Sequence, residues 1–320
     1  MSWKAASDDE FAHHYVLEVK RGETVVVKKK YLTDFYRHPQ HSGMKSDWSV
    51  SLGTLPAGDY TAKLTAYDSW DASCESTRTF TVESAPAAEP ALYVDFSFAG
   101  GSATDKKGKV QVTNHDATFT PVQLSYKGQN YQANALQASS GKYIVCQFSE
   151  INSTSDMSAF MSAGFTVEAL FVDRVRTSDV HGVFCGTQAG GWGLAMRATG
   201  VPYFIVGEGT SNTYKSTDAA SALSTTELSH VVCVYDPVTS KMYIYVNGTL
   251  SSSASITGVY HNGAGDTYNR FCLGADIATG NVGTDFPCSD MVIAGARFYT
   301  GALDAAAVKA AYDSSENMLQ

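Results

Sequence analysis

Apolar and polar residues alternate with a period of two along most of the chain. His14-Tyr15-Val16-Leu17-Glu18-Val19, Tyr60-Thr61-Ala62-Lys63-Leu64-Thr65-Ala66-Tyr67 and Thr79-Phe80-Thr81-Val82 show it first. Each run is bounded by Gly, Pro, Asp or Ser, as half-buried strands are. Ser84-Ala85-Pro86-Ala87-Ala88-Glu89-Pro90 then breaks the pattern, and two prolines among small residues make a short, stiff linker. Strand-like runs resume at 91–98 and continue at 143–146, 165–171, 182–185, 193–196, 203–206, 230–235, 241–246, 270–273 and 291–299. So many short strands predict an all-β chain built as sandwiches or jelly rolls, with one domain over 1–83, a linker at 84–90 and a second domain over 91–320. One helix stands out. Asp304 can cap residues 305–312, with Val308 and Tyr312 on one face at i, i+4. A helix this short needs the second domain to pack against.

Composition narrows the classes. The 320 residues are 44% hydrophobic and 12% aromatic but only 17% charged, against roughly a quarter charged in a typical soluble domain. Core-forming residues are therefore plentiful, which excludes disorder driven by charge. The net charge of −9 argues against a nucleic-acid partner. The one basic run, Lys28-Lys29-Lys30, follows Val25-Val26-Val27 and reads as a strand end emerging into solvent. Residues 1–86 hold ten basic and twelve acidic groups, a net −2, while the remainder holds 13 and 20, a net −7. The second domain thus suits neutral glycans or cations better than anions. No apolar stretch of about 18 residues is present to span a membrane. The six cysteines, at 74, 146, 185, 233, 272 and 288, form no C-x-x-C pair, so neither a zinc ribbon nor a redox pair is indicated. Cys146, Cys185, Cys233 and Cys272 sit in apolar runs and read as small buried hydrophobes.

Candidate chemistry is sparse. His13-His14 and His38-x-x-His41 have metal-ligand composition. Adjacent histidines in a strand point to opposite faces, however, and His38-Pro39-Gln40-His41 reads as a loop. Asn114-His115-Asp116 looks like one element of a dimetal centre, but the converging partners such a centre needs are absent, so it reads as a polar turn. Gly190-Gly191-Trp192-Gly193 and Gly207-Glu208-Gly209 read as hairpin glycines, since no strand-to-helix unit follows them. Sugars stack on exposed aromatics, and Trp192 and Tyr214, in Gly/Ser/Thr-rich loops, are the candidates. For Trp192 the alternative is a place capping the core between strands.

Two resemblances follow from particular residues. Ser2-Trp3, Tyr15-Val16-Leu17-Glu18-Val19, the turn Leu55-Pro56-Ala57-Gly58-Asp59-Tyr60 and Tyr67-Asp68-Ser69-Trp70 resemble a fibronectin type III-like module over 1–83. In that family Trp3 sits on the second strand, which implies a truncated module with a first strand upstream. Such modules often trail a catalytic domain in secreted bacterial proteins, including calcineurin-like metallophosphoesterases. Residues 91–316 resemble a concanavalin A-like, laminin-G-type jelly roll. The segment 164–171 looks like its central strand, 229–236 with 241–248 like its hairpin, and 291–303 with the helix like its closing strand. Ser229 stands where the family usually has Trp.

The resemblance implies a binding module that uses rim loops, sometimes with calcium. Asp276, with Asp266 and Asp285 in flanking loops, is the calcium candidate, and no other cofactor is implied. Hydrolases of this fold place two or three carboxylates on one strand face. Here Glu168 stands alone, with Leu170 and Val172 at the next same-face positions, so it reads as structural. The expectation is a non-catalytic accessory fragment of a secreted or surface protein, placed outside the cell, in the periplasm or on the cell surface. A fibronectin-like spacer would present a laminin-G-like module that binds carbohydrate, a neutral glycan, at Trp192, Tyr214 and Asp276. The alternative is the C-terminal part of a secreted metallophosphoesterase or glycan-processing hydrolase whose catalytic domain lies upstream.

Overall fold

The computed structural model describes residues 1–4, 12–33, 47–52, 55, 58–82, 89–176, 180–261, 268–277 and 284–319, without the side chains of 284 and 285. His38, His41, Asp266 and most of the 84–90 segment lie outside these residues. The chain divides into two compact units, Met1–Ala85 and Pro86–Gln320.

In the smaller unit a four-stranded antiparallel sheet runs in the order Thr24–Leu32, His14–Arg21, Gly58–Tyr67, Ser73–Val82, and the strands Ser2–Lys4 and Asp47–Ser49 form a separate pair. The alternation sets the burial. Leu17, Val19, Tyr60 and Ala62 form one apolar cluster with Leu55 packed on it, and Tyr15 and Ala66 form another with Trp3 and Trp48. Lys28, Lys29 and Lys30 do not lie past a strand end. They pair with Glu18, Leu17 and Val16 inside an edge strand, where exposed lysines discourage pairing with another sheet.

The larger unit has two large antiparallel sheets and two two-stranded ones, Pro121–Tyr126 with Gln129–Asn134 and Asp276–Ile277 with Thr284–Asp285. The back sheet runs Thr249–Ser255, Lys241–Val246, Ser229–Asp236, Phe165–Val175, Asp290–Thr300, Ala91–Ser97, Thr104–Asp105, with Leu136–Ala138 also paired to Asp290–Thr300. The front sheet runs Tyr214–Asp218, Pro202–Gly207, Trp192–Met196, His181–Gly186, Arg270–Leu273, Tyr143–Phe148, Val110–His115. Phe165, Val167, Ala169 and Phe171 of the back sheet meet Phe184, Leu194, Phe204 and Phe271 of the front sheet in one core. The run 291–299 is almost continuously apolar for a physical reason. Both faces of the strand are covered: a bulge beside Leu170 and Phe171 shifts its phase so that Met291, Ile293, Ala296 and Phe298 enter that core, while Val292 and Ala294 pack on the other side with Leu124 and Tyr126.

Two helices accompany the sheets. Helix α1 (Thr154–Ser162) is a second helix, and its Met157, Phe160 and Met161, at i, i+3, i+4, pack on that core while Ser, Thr and Asp fill its outer side. Its cap is Ser153, whose hydroxyl accepts the Asp156 N–H at 3.1 Å. Helix α2 (Ala305–Asp313) is the expected one. The Asp304 carboxylate accepts the Ala307 N–H at 2.7 Å, and Val308 is buried with Val232, Val234 and Tyr245. Asp304→Ala is expected to cost about 1 kcal/mol, measured as a small drop in the calorimetric midpoint of the larger unit.

Candidate functional site

The outer face of the front sheet carries a cleft of about 320 Å³. Alternate residues of three adjacent strands make its floor. Cys185, Ala195, Tyr203 and Ile205 face the cleft, while their neighbours Phe184, Leu194 and Phe204 face the core. Thr187, Gln188 and Ala189 form one wall, Asn212 and Tyr214 another, and Asp276 and Ile277 close the end. Phe286 stands at the lip with 48% of its surface exposed.

The 187–191 loop is held in an unusual backbone conformation, with φ of 54° at Ala189, 129° at Gly190 and 85° at Gly191. Asp276 anchors it from below. Its Oδ1 accepts the N–H groups of Thr187 at 3.0 Å and of Ile277 at 2.8 Å, and its Oδ2 accepts the Thr187 hydroxyl. Tyr214 anchors it from the side, donating its hydroxyl to the Thr187 carbonyl and accepting the Gly190 N–H at 3.0 Å. Burial raises the Tyr214 phenol above its ordinary value, which keeps the donor protonated. Backbone bonds finish the knot. Gly191 N–H donates to Tyr260 O at 2.9 Å, Tyr260 N–H to Gly207 O at 2.7 Å, and Gly207 N–H to Gly191 O at 2.7 Å. Gly207 is required there, because a Cβ would lie 2.4 Å from the Tyr260 carbonyl oxygen.

Two of the three sequence candidates therefore meet. Tyr214 and Asp276 both border the cleft, and both position the loop that forms its wall. Trp192 does not join them. It is 1% exposed, and its ring packs against Phe165, Phe184, Phe271 and Phe298 at centroid distances of 5.1–6.1 Å. The correction has a simple cause. Trp192 opens a strand whose alternation turns it inward and turns Gly193 outward. Nor does Tyr214 lie in a loop, since it opens the strand Tyr214–Asp218. Phe286 and Asn212 were not found from the sequence. The only signal was Asn212 itself, since Asn tolerates the left-handed φ of 58° it adopts.

Among the described side chains Asp276 is the acidic one that lines the cleft, and both its oxygens already accept hydrogen bonds. Among the described residues no group of three His, Cys, Asp or Glu side chains is placed to hold a metal ion. Glu168 lies elsewhere, on the outer face of the back sheet under the His230 ring. Asn114 and His115 end a strand instead of forming a turn. The Asn114 amide brackets Ala117 with two bonds of 3.0 Å, and His115 stacks on Tyr143 at 4.7 Å. Cys146, Cys185, Cys233 and Cys272 are buried thiols, and burial pushes each well above its ordinary pKa.

A family model described as the concanavalin A-like lectin/glucanases superfamily, laminin-G type, matches residues 148–309. The chain belongs to this superfamily. The match spans the cleft strands and the central strand of the back sheet, so the concanavalin A-like unit contains the candidate site. Among solved structures, the binding domain of botulinum neurotoxin serotype D is similar at 17% identity and a TM-score of 0.50, over 69% of this chain and 51% of that one. The binding domain of botulinum neurotoxin DC, solved with rat synaptotagmin II, is similar at 11% and 0.51, over 70% and 51%. A third, titled for the dependence of botulinum neurotoxin type C cell entry on two ganglioside molecules, is similar at 12% and 0.50, over 70% and 51%. At these identities the likeness is one of fold, and the chain spans about half the length of each structure. No curated protein matches the chain.

Proposed function

We propose that the concanavalin A-like unit is a non-catalytic module that binds a neutral glycan in the front-sheet cleft. The make-up of the cleft carries this reading. It has an apolar floor, a half-exposed ring at its lip in Phe286, amides at Gln188 and Asn212 on its walls and, among the described residues, no lysine or arginine in its lining. A sugar ring offers an apolar C–H face to an aromatic side chain and hydroxyls to amides. Among the described side chains Asp276 is the one carboxylate in the cleft, and with a net −7 on residues 87–320 it favours an uncharged sugar over an anionic one. A superfamily that includes lectins supports a sugar ligand. Glycoside hydrolysis uses a pair of carboxylates, and among the described side chains the cleft presents Asp276 alone, which favours binding over the glucanase side of the superfamily. In this reading residues 1–83 are a fibronectin type III-like spacer and the protein acts outside the cytoplasm.

A glycan array probed with the whole chain is expected to show retention on neutral over sialylated saccharides. Phe286→Ala is expected to weaken it about tenfold, or ~1.4 kcal/mol, with the melting temperature unchanged because the ring lies outside the core. Failure to bind any glycan, with or without calcium, overturns the reading.

A further inference from the structure

Two histidines at the start of the smaller unit's sheet stand closer than strand geometry predicts. Neighbours on a strand point to opposite faces, yet Nδ1 of His13 lies 3.3 Å from Nδ1 of His14, with the ring planes at 82°. The strand begins at His14, so His13 precedes it and escapes the alternation. Both residues are held in place. The His13 N–H donates to Tyr67 O at 2.6 Å, and its carbonyl accepts the Thr33 N–H at 3.2 Å and the Thr33 hydroxyl at 2.8 Å. The His14 ring is buried and stacks flat on Tyr67, with centroids 4.6 Å apart and planes 8° from parallel.

Two nitrogens bound about 2.0–2.1 Å from one tetrahedral ion stand about 3.3–3.4 Å apart. We propose that His13 and His14 form a two-histidine site for a divalent transition-metal ion of the zinc class, seated between their Nδ1 atoms. Imidazole suits zinc, copper and nickel, whereas calcium and magnesium take oxygen ligands. Among the described residues no third His, Cys, Asp or Glu completes the set. A site held by these two ligands keeps water at its other positions and exchanges its ion, unlike a closed four-ligand site. The backbone bonds at His13 and the Tyr67 stack orient the ligands, as outer groups do in metal sites.

Equilibrium dialysis of the whole chain against zinc, with excess magnesium and calcium, tests this. A Cys74→Ser background removes the exposed thiol. One zinc per chain is expected, with affinity at least tenfold weaker in His13→Gln and in His14→Gln. His13 is only partly buried, so His13→Gln keeps the test valid even if His14→Gln fails to fold. In the NMR spectrum, substoichiometric cobalt is expected to broaden the rings of His13 and His14 before those of the other six histidines. Absence of bound zinc, or zinc binding untouched by His13→Gln, overturns the proposal and leaves the pair as a hydrogen bond between imidazoles.

Discussion

Glu168→Ala is expected to destabilise the larger unit by about 3–5 kcal/mol and to lower its calorimetric transition by roughly 6–20 °C. Glu168 and His230 are both 0% exposed. Glu168 Oε1 accepts His230 Nε2–H at 2.7 Å and lies 3.7 Å from Arg297 Nη1, while Oε2 accepts the Tyr299 hydroxyl at 2.7 Å. Arg297 in turn donates to Asp95 at 2.9 Å. Burial on its own would raise the carboxyl. The His230 bond, the nearby His230 and Arg297 charges and the Tyr299 bond outweigh it and hold the group below its ordinary 4.5. Glu168 is therefore ionised near neutral pH, and removing it leaves the buried His230 Nε2–H without its acceptor, takes the acceptor from the half-buried Tyr299 hydroxyl and opens a void beside Arg297. Glu168→Gln, which keeps the shape, is expected to cost less. Glu168→Leu combined with Arg297→Met is expected to cost less than the sum of the two, because the uncompensated charge goes as well. The pH dependence has a definite sign. With the folded value below 4.5, the contribution is complete above that pH and is lost as pH falls through the folded value. The acid slope of stability should accordingly flatten in Glu168→Gln. A midpoint unchanged in Glu168→Ala would mean that the network contributes nothing to stability.

The same residue shows where sequence reading stops. That Glu168 lacks a carboxylate partner two residues along its strand is visible in the sequence, and it removes the acid–nucleophile pair. That it bonds His230, 62 residues away, is a property of strand order. The strands at 165–171, 230–235 and 241–246 are legible because alternate burial is a local pattern: Met242 and Ile244 enter the core while Tyr243 and Tyr245 turn towards α2. The hairpin strands Pro121–Tyr126 and Gln129–Asn134 carry the same alternation, with Val122, Leu124, Tyr126, Tyr131 and Ala133 turned to one apolar cluster, but their short apolar side stands out less among the surrounding Gln, Asn and Ser. The cleft is harder still. Cys185, Tyr203, Asn212, Asp276 and Phe286 meet only because the front sheet sets three sequence-adjacent strands beside a fourth from residues 270–273. Gly190-Gly191-Trp192-Gly193 misleads for a related reason. Its glycines look like an open loop around an exposed ring, whereas they let three backbone segments cross while the indole turns inward.

Gly191→Ala is expected to cost about 3 kcal/mol or more and to abolish glycan retention. A Cβ at this position would lie 2.0 Å from the Gly186 carbonyl oxygen and 3.0 Å from His261 Nδ1, at a φ of +85°. The first contact is with backbone, so no side-chain rotation relieves it. The backbone of Gly191 has little room to move either, since its N–H is bonded to Tyr260 and its carbonyl to Gly207. The strain must then pass along the loop, on one side to the Thr187 and Gly190 contacts with Asp276 and Tyr214, on the other to Trp192 in the core. Gly128→Ala separates this from the ordinary cost of a left-handed residue. Gly128 has a φ of +72° with nothing within 4 Å of a Cβ, so its substitution is expected to cost only about 1–2 kcal/mol and to leave glycan retention intact. Calorimetry and array binding on both variants, at a temperature where each is folded, make the comparison. If Gly191→Ala proves no costlier than Gly128→Ala, the loop yields, and the cleft is not the rigid, preformed site that its hydrogen bonds describe.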